Sequence, residues 1–287
     1  MRAFFFVVLQ YLLPRYWLTA AVYRIARVKN PRIKNFLITR FVSLYSVDTD
    51  EIKLELPNDF KTFNEFFIRE LRDDARPLDA RANSIIAPAD GTVSEAGTLR
   101  AGRILQAKGI DYSVQDLLAT EVAEAGAFAD GQFATIYLAP YNYHRVHAPL
   151  DGELVAARYV PGDLFSVNDA TAHRVRGLFR RNERLVLYFT TRFGRMAVIL
   201  VGALNVGSIS TPWSGEIRPR KTGVVETIDL SGQTTQLARG DLLGWFNMGS
   251  TVILLLPPGA SVWQTELRAG ATLRMGQAIG TLSDGPA

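Results

Sequence analysis

The stretch "WFNMGSTVILLLPP", residues 245–258, sets three small residues against a solid apolar run. Val252 to Leu256 reads as a buried β-strand: short, continuous, β-branched at its start and stopped by Pro257-Pro258. Gly249-Ser250-Thr251 sits at its mouth. A Gly-Ser pair there is an ordinary turn element. Whether Ser250 has chemistry depends on what the rest of the chain can bring to it.

At 287 residues the chain is long enough for one large domain or two small ones. Its apolar share of 48% and charged share of 21% are those of a folded globular protein. It has no cysteine, which removes disulfides, thiolate nucleophiles and zinc–thiolate sites. His144, His147 and His173 are the only imidazoles.

The charge is unevenly spread. Residues 1–47 hold eight Lys/Arg and no acid, leaving 24 basic against 28 acidic residues in the remainder. A basic excess suits nucleic acid or an anionic membrane. The Phe, Leu, Trp and Tyr of "AFFFVVLQYLL" and "YWLTAAVYRIARV" favour lipid and argue against nucleic acid. Ala3 to Leu13, as a helix, reaches roughly 16 Å, about half a hydrocarbon core, and so should not span. A signal peptide is the competing reading, but the following residues stay aromatic and basic with only a poor cleavage candidate near Thr19-Ala20-Ala21. Asn30 is placed as an N-cap with Pro31 at the first helical position, and Ile33, Phe36, Leu37, Phe41 and Leu44 share one face of the helix that follows. Residues 1–47 therefore read as two or three amphipathic helices lying in a membrane interface. An ordinary helical flap packed on the core is the alternative.

In "TFNEFFIREL", Thr62 and Glu65 are spaced as a capping box, with Phe63, Phe66, Phe67 and Leu71 on one face of a helix that "ARPLD" ends. From Ile85 onward short apolar runs punctuated by Gly, Pro and Asp predict mostly β-structure, including a strand at "QFATIYLAP" and a hairpin at "LVLYFTTRFGRMAVILVGA". One helix is expected at "VQDLLATEVAEA", capped by Ser113. "APADGTV" (87–93), "APLDGEL" (148–154) and "TPWSGEI" (211–217) form a weak repeat in which Pro fixes a turn and Gly supplies an open backbone conformation before a strand. The expected fold class is α+β: a mostly antiparallel β core resembling a duplicated barrel-sandwich, with an amphipathic α-helical N-terminal region. None of the six lysines sits in a swinging-arm hairpin like those of biotin or lipoate carriers.

The densest chemistry lies in "YLAPYNYHRVHAPLDG". His144 and His147 fit hydrogen-bonding side chains at a strand end, metal ligands or acid–base groups. As ligands they lack a convincing third partner, since His173 lies in an unrelated polar loop. As acid–base groups they need a carboxylate to orient a ring. Asp90, in "APADG", is suited to this; Asp151, in "APLDG", has the same pattern, and the motif does not choose between them. Ser250 with a histidine and an aspartate makes a nucleophile–base–orienter set. There is no G-x-S-x-G elbow. Ser250 instead directly follows Gly249, whose carbonyl is sterically open, so its nearest electrophile is its own upstream peptide bond.

Taken together, "TFNEFFIREL", "APADGTV", "GRILQAKGIDYSV", "YNYHRVHAP", "VPGDLFSVN", "RNERLVL", "VGALNVGSI" and "MGSTVIL" resemble, in order, the phosphatidylserine decarboxylases of the full-length bacterial, membrane-associated type. The family's L-G-S-T cleavage motif stands here as Met248-Gly249-Ser250-Thr251, a volume-conserving change at its first position. Its Lys-Gly stands as Arg239-Gly240. The resemblance implies a proenzyme that cuts itself between Gly249 and Ser250. Asp90 holds His147 in one tautomer, His147 takes the Ser250 hydroxyl proton, and the oxygen attacks the Gly249 carbonyl. An N-to-O shift gives an ester, β-elimination frees the upstream chain, and the remaining dehydroalanine hydrolyses to a pyruvoyl group. This covalent cofactor would form a Schiff base with the amine of phosphatidylserine, act as electron sink for loss of carbon dioxide, and release phosphatidylethanolamine after protonation by His144. No metal is implied, and His173 receives no role.

The expected organisation is a membrane-association region over 1–56 and a catalytic region over 57–287, cut into a large chain 1–249 and a small chain 250–287 that stay associated. The expected location is the cytoplasmic face of the inner membrane, peripherally bound, on phosphatidylserine in an anionic bilayer; a homodimer is compatible with the resemblance. Two readings from other classes remain. One is a non-catalytic barrel-sandwich carrier or interaction module, the other a metallohydrolase built on His144 and His147.

Overall fold

The computed structural model describes residues 2–205 and 207–283. Val206 of "VGALNVGSI" and residues 284–287, the end of the expected small chain, lie outside the described residues. Three helices lead the chain: α1 (Arg2–Leu12), α2 (Arg15–Ala26) and α3 (Pro31–Tyr45). Pro14 ends α1, and the axes of the first two helices differ by 90°. Asn30 caps α3 by accepting from Arg32 N and Ile33 N at 3.0 and 3.4 Å, with Pro31 in the first turn as expected. The face assigned to α3 from sequence divides in two. Leu37 and Phe41 pack inward with the buried Ile38, whereas Ile33, Phe36 and Leu44 are exposed.

Polar side chains pin these helices to the β body. Gln10 donates to Thr171 Oγ1 at 3.1 Å and accepts from Ser166 N at 2.8 Å, Arg15 pairs with Asp163 at 2.9 Å, and Arg27 pairs with Glu216 at 2.6 Å. No single helix among the described residues is long and apolar enough to cross a membrane.

α4 (Phe63–Phe67) is shorter than its sequence suggests. Thr62 Oγ1 accepts from Glu65 N at 3.1 Å, one half of the expected capping box, while the Glu65 carboxylate accepts from Lys61 N instead of Thr62 N; the helix stops at Ile68 well before "ARPLD". Arg69 and the Ile68 carbonyl turn instead to bond the chain around residues 141–145. The helix expected after Ser113 also divides, into Val114–Leu118 and Val122–Gly126, because Ala119 takes a left-handed conformation at φ 48°.

Antiparallel pairing dominates the remainder. The main sheet runs Glu226–Thr227, Gly152–Val160, Arg184–Thr191, Gly194–Val201, Ser250–Leu256, Gln132–Leu138, Gly91–Thr98 and Thr272–Leu273, with Gln236–Leu237 also beside Gly152–Val160. The path is open, and among the described residues it does not close into a barrel. The hairpin read from "LVLYFTTRFGRMAVILVGA" pairs Thr191 with Gly194, and Gly194 adopts φ +104°. A second sheet runs Gly215–Ile217, Ile209–Thr211, Leu242–Phe246 and Arg145–His147. Each Pro-x-x-Gly repeat opens a strand at its glycine: Gly91, Gly152 and Gly215. Only Gly215 needs the left-handed region, at φ +63°. Gly91 is required by crowding, since a Cβ there would stand 2.5 Å from the Tyr137 carbonyl oxygen.

Two apolar cores meet at the stretch quoted first. Ser250–Leu256 is fully buried between Gln132–Leu138 and Gly194–Val201 in the larger core. Met248 packs against the smaller one, made by Ile38, Phe60, Phe63, Phe66 and Phe67 from the helical segment. The Gly249–Ser250 bond lies on the seam.

Candidate active site

The chain before the seam is anchored on both sides. Asn247 donates from Nδ2 to Ser208 Oγ at 2.8 Å and Ser210 Oγ at 3.0 Å, and its carbonyl accepts from Asn64 Nδ2 of α4 at 2.9 Å. After the seam, Ser250 pairs in register with Leu138, and Thr251 with Tyr137 and Val201. A Cβ on Gly249 would stand 3.4 Å from the Leu138 carbonyl oxygen and 3.5 Å from His144 Nε2. The small residue thus lets backbone, strand and imidazole approach closely. Ser250 is completely buried, and its Oγ has no hydrogen-bond partner. A buried hydroxyl left unpaired at a strand start is costly, and Thr251 Oγ1 and Thr135 Oγ1 on the same pair of strands are unpaired too.

His144 is as buried as Ser250. Its Nδ1 donates to the Asn142 carbonyl at 2.8 Å, which leaves Nε2 as the lone-pair nitrogen, and this atom too is buried without a partner. The Phe67 ring lies 4.1 Å from the imidazole, centroid to centroid. Burial and then the Arg69 charge push the His144 pKa down to about 3, with the Asn142 bond opposing. The ring is neutral at physiological pH.

His147 ends the Arg145–His147 strand, where pairing with Leu242 holds its backbone. Its Nδ1 donates to the Gly240 carbonyl at 2.8 Å, and its Nε2 accepts from the Tyr143 hydroxyl at 3.0 Å. Burial lowers its pKa; the Gly240 bond and the Asp90 charge act the other way. Gly240 takes φ +95°, with Leu78 2.6 Å from the position of a Cβ. Only glycine fits there, and its carbonyl fixes the tautomer of His147.

Asp90 is buried close to His147, but its carboxylate bonds other partners. Arg76 donates to it from Nε at 2.9 Å and Nη2 at 2.6 Å, and Met275 N donates at 2.8 Å. Arg76 also pairs with Glu51 at 2.8 Å. Asp90 therefore acts on His147 through its charge in this state, while Gly240 makes the hydrogen bond. Asp151 serves elsewhere: its carboxylate accepts from Arg239 N at 2.7 Å. The Arg239 guanidinium bonds Ser84 and the Asp79 and Arg81 carbonyls. His173 is half exposed and paired with Asp169 at 3.0 Å.

Sequence reasoning did not find Tyr143, Asn64, Phe67, Arg69, Arg76 or the Gly240 carbonyl. Tyr143, between Asn142 and His144, was within sight; the others reach the site only through tertiary packing.

A family model described as phosphatidylserine decarboxylase matches residues 63–281, and a second, described as PSD, matches residues 5–46. A phosphatidylserine decarboxylase proenzyme of Alcanivorax borkumensis is 48% identical over 97% of this chain and 96% of its own length. Proteins of the same name from Legionella pneumophila and Ectopseudomonas mendocina are each 45% identical, over 96% and 98% of this chain and 96% and 99% of their own lengths. With the family model spanning most of the chain and these relatives aligned nearly end to end, this protein belongs to the phosphatidylserine decarboxylase family.

Proposed function

We propose that the chain is a proenzyme that cuts its own backbone at Gly249–Ser250 and then converts phosphatidylserine to phosphatidylethanolamine and carbon dioxide. The observation that carries this reading is the buried, unpartnered Ser250 hydroxyl at the seam of two cores, beside the unpartnered His144 Nε2. The residues fit a covalent pyruvoyl group at position 250: a small neighbour, a water-poor surround and a neutral imidazole at hand. That group supplies the electron sink for decarboxylation.

We assign the base that takes the Ser250 proton to His147, with its tautomer fixed by Gly240 and its basicity supported by the Asp90 charge; its Nε2 accepts from Tyr143 in this state and must exchange that partner for Ser250. Ser250 Oγ then attacks the Gly249 carbonyl. Asn247 and its three partners hold the chain before this bond, and the strand ladder holds it after. In the later decarboxylation His144 Nε2, next to the new chain end, would take up a proton released by the substrate ammonium and return it to carbon after carbon dioxide leaves. The small chain 250–287 keeps its place because its first strand is buried between two strands of the large chain 1–249.

Residues 1–56 form the membrane-association region and 57–287 the catalytic one. Exposed Phe4, Phe5, Leu12, Trp17, Phe36 and Leu44, beside the basic charges of this segment, support peripheral binding to an anionic bilayer; we assign the cytoplasmic face of the inner membrane.

Denaturing electrophoresis with a decarboxylation assay tests the division of work. Wild type should run as two chains; Ser250→Ala should stay whole and inactive; His144→Ala should cut yet lose activity by about a hundredfold or more. A whole, fully active wild-type chain would remove the proposal.

A further inference from the structure

Arg69 is a buried cation that neither self-cleavage nor proton transfer uses. It follows α4 in "FFIRE" and is 4% exposed. Its Nη2 donates to the Tyr141 carbonyl at 2.9 Å and, at 3.5 Å, to the Asn142 carbonyl that also accepts from His144 Nδ1. One carbonyl therefore joins Arg69 to His144. The guanidinium lies 5.3 Å from the Phe66 ring. Its Nε and Nη1 are buried and donate to nothing among the described residues.

No carboxylate among the described residues forms an ion pair with Arg69, although its neighbours are all paired. Arg76 is taken by Asp90 and Glu51, and Arg145 by Glu70 and the Ile68 carbonyl. Burial lowers the Arg69 pKa to about 10, so it stays charged at neutral pH. A buried charge with no ion pair of its own is destabilising; the Asp90 and Glu51 charges favour Arg69 from a distance, but both carboxylates are bonded to Arg76.

We propose that Arg69 anchors the substrate headgroup, its free Nε–H and Nη1–H donating to an anionic oxygen group of phosphatidylserine. The inference rests on the reading of this site as the place where that lipid reacts. The headgroup offers two such groups, the carboxylate and the phosphate, and both are acceptors for a guanidinium. Anion binding has a second effect. It offsets the charge that helps hold His144 unprotonated, so the imidazole gains basicity when substrate is present.

Arg69→Gln and Arg69→Lys test this in the full chain, with a soluble short-chain phosphatidylserine. Both variants should still cut into two chains. Arg69→Gln should raise KM by about tenfold or more, with a smaller fall in kcat. Arg69→Lys should fall between it and wild type, because an ammonium cannot reproduce the planar donors. Cyanoborohydride capture of the lipid amine on the small chain, read by intact mass, gives a second measure and separates the two anions. If Arg69 holds the carboxylate, Arg69→Gln slows capture of phosphatidylserine but not of its carboxyl methyl ester. If it holds the phosphate, both slow alike.

Unchanged KM and capture in a cut Arg69→Gln chain would overturn the proposal. So would a loss confined to kcat, which is what a clamp on the 139–144 turn predicts, or failure of both variants to cut. A wild-type chain that does not cut, or leaves phosphatidylserine unchanged, would instead sink the underlying reading whatever Arg69 does.

Discussion

Two apolar segments of this molecule face in opposite directions. Along Ser250–Leu256 every side chain is buried, in a strand flanked on both edges and covered on both faces. Along α1 to α3 the apolar side chains are divided: Val7, Ala26 and Ile38 are buried, but Phe5, Leu12, Trp17, Phe36 and Leu44 are exposed by 64–79% of their full area. The helices are fixed to the β body by Gln10, Arg15 and Arg27, polar contacts that leave the apolar side chains free. Hydrophobicity alone does not distinguish core from docking surface. What distinguishes them is that the strand's partners are present in the chain, while the partner of the helices is the bilayer we have assigned to them.

The largest effect is expected on the buried side. Leu254→Ala should lower unfolding stability by about 2–5 kcal/mol, because a central strand with rigid neighbours cannot collapse around the cavity. Denaturant unfolding of the uncut Ser250→Ala background would measure it without interference from chain separation. A cost below about 1 kcal/mol would mean the strand is less confined than its burial indicates.

An intermediate effect follows from pH. Folded His144 takes up a proton only near pH 3, whereas the ordinary histidine value is 6.5. Between these limits the unfolded chain binds more protons, so stability is complete above the upper value and falls as pH drops toward the lower one. The urea midpoint should therefore decline from pH 7 to pH 4, and His144→Gln should flatten that decline. An equal slope in the variant would show that other groups carry the acid sensitivity.

The smallest effect on stability is expected from the outward side. Phe36→Ser and Trp17→Ser should change the unfolding free energy by about 0.5 kcal/mol or less, yet weaken co-sedimentation with anionic liposomes. Deleting 1–47 should weaken it further, and high salt should act in the same direction by screening the basic charges. Unchanged liposome binding would remove the assignment of these helices to the membrane.

Local patterns were readable where the physics is local. Pro257 ending the buried strand, Asn30, Thr62 and Ser113 as caps, and the hairpin in "LVLYFTTRFGRMAVILVGA" all depend on neighbours close in the chain. The break at Ala119 was not readable, because Ala has no intrinsic preference for the left-handed region; tertiary packing of the two short helices imposes it. The two faces of α3 are similar in composition, and only the position of Phe60, Phe63 and Phe66 decides which is covered.

The same limit applies at the site. Residue types in "APADG", "YNYHRVH" and "MGST" marked the candidates, but their mutual geometry was not in the sequence. His147 Nδ1 donates to the Gly240 carbonyl, 93 residues away, and a backbone oxygen has no sequence signature. Arg76 as the partner of Asp90, and Asn64 as the tether of Asn247, likewise follow from the packing of the segment after α3 against both cores.

On the function proposed above, Ser250 is the precursor of a reactive carbonyl rather than a lasting serine. Intact mass spectrometry of the purified protein, denatured and treated with a hydrazide, tests it most directly. Two chains are expected, one ending at Gly249 and a small one beginning at position 250 that carries the hydrazide adduct. A single uncut chain, or a small chain that begins with an unmodified serine and takes up no hydrazide, would contradict it.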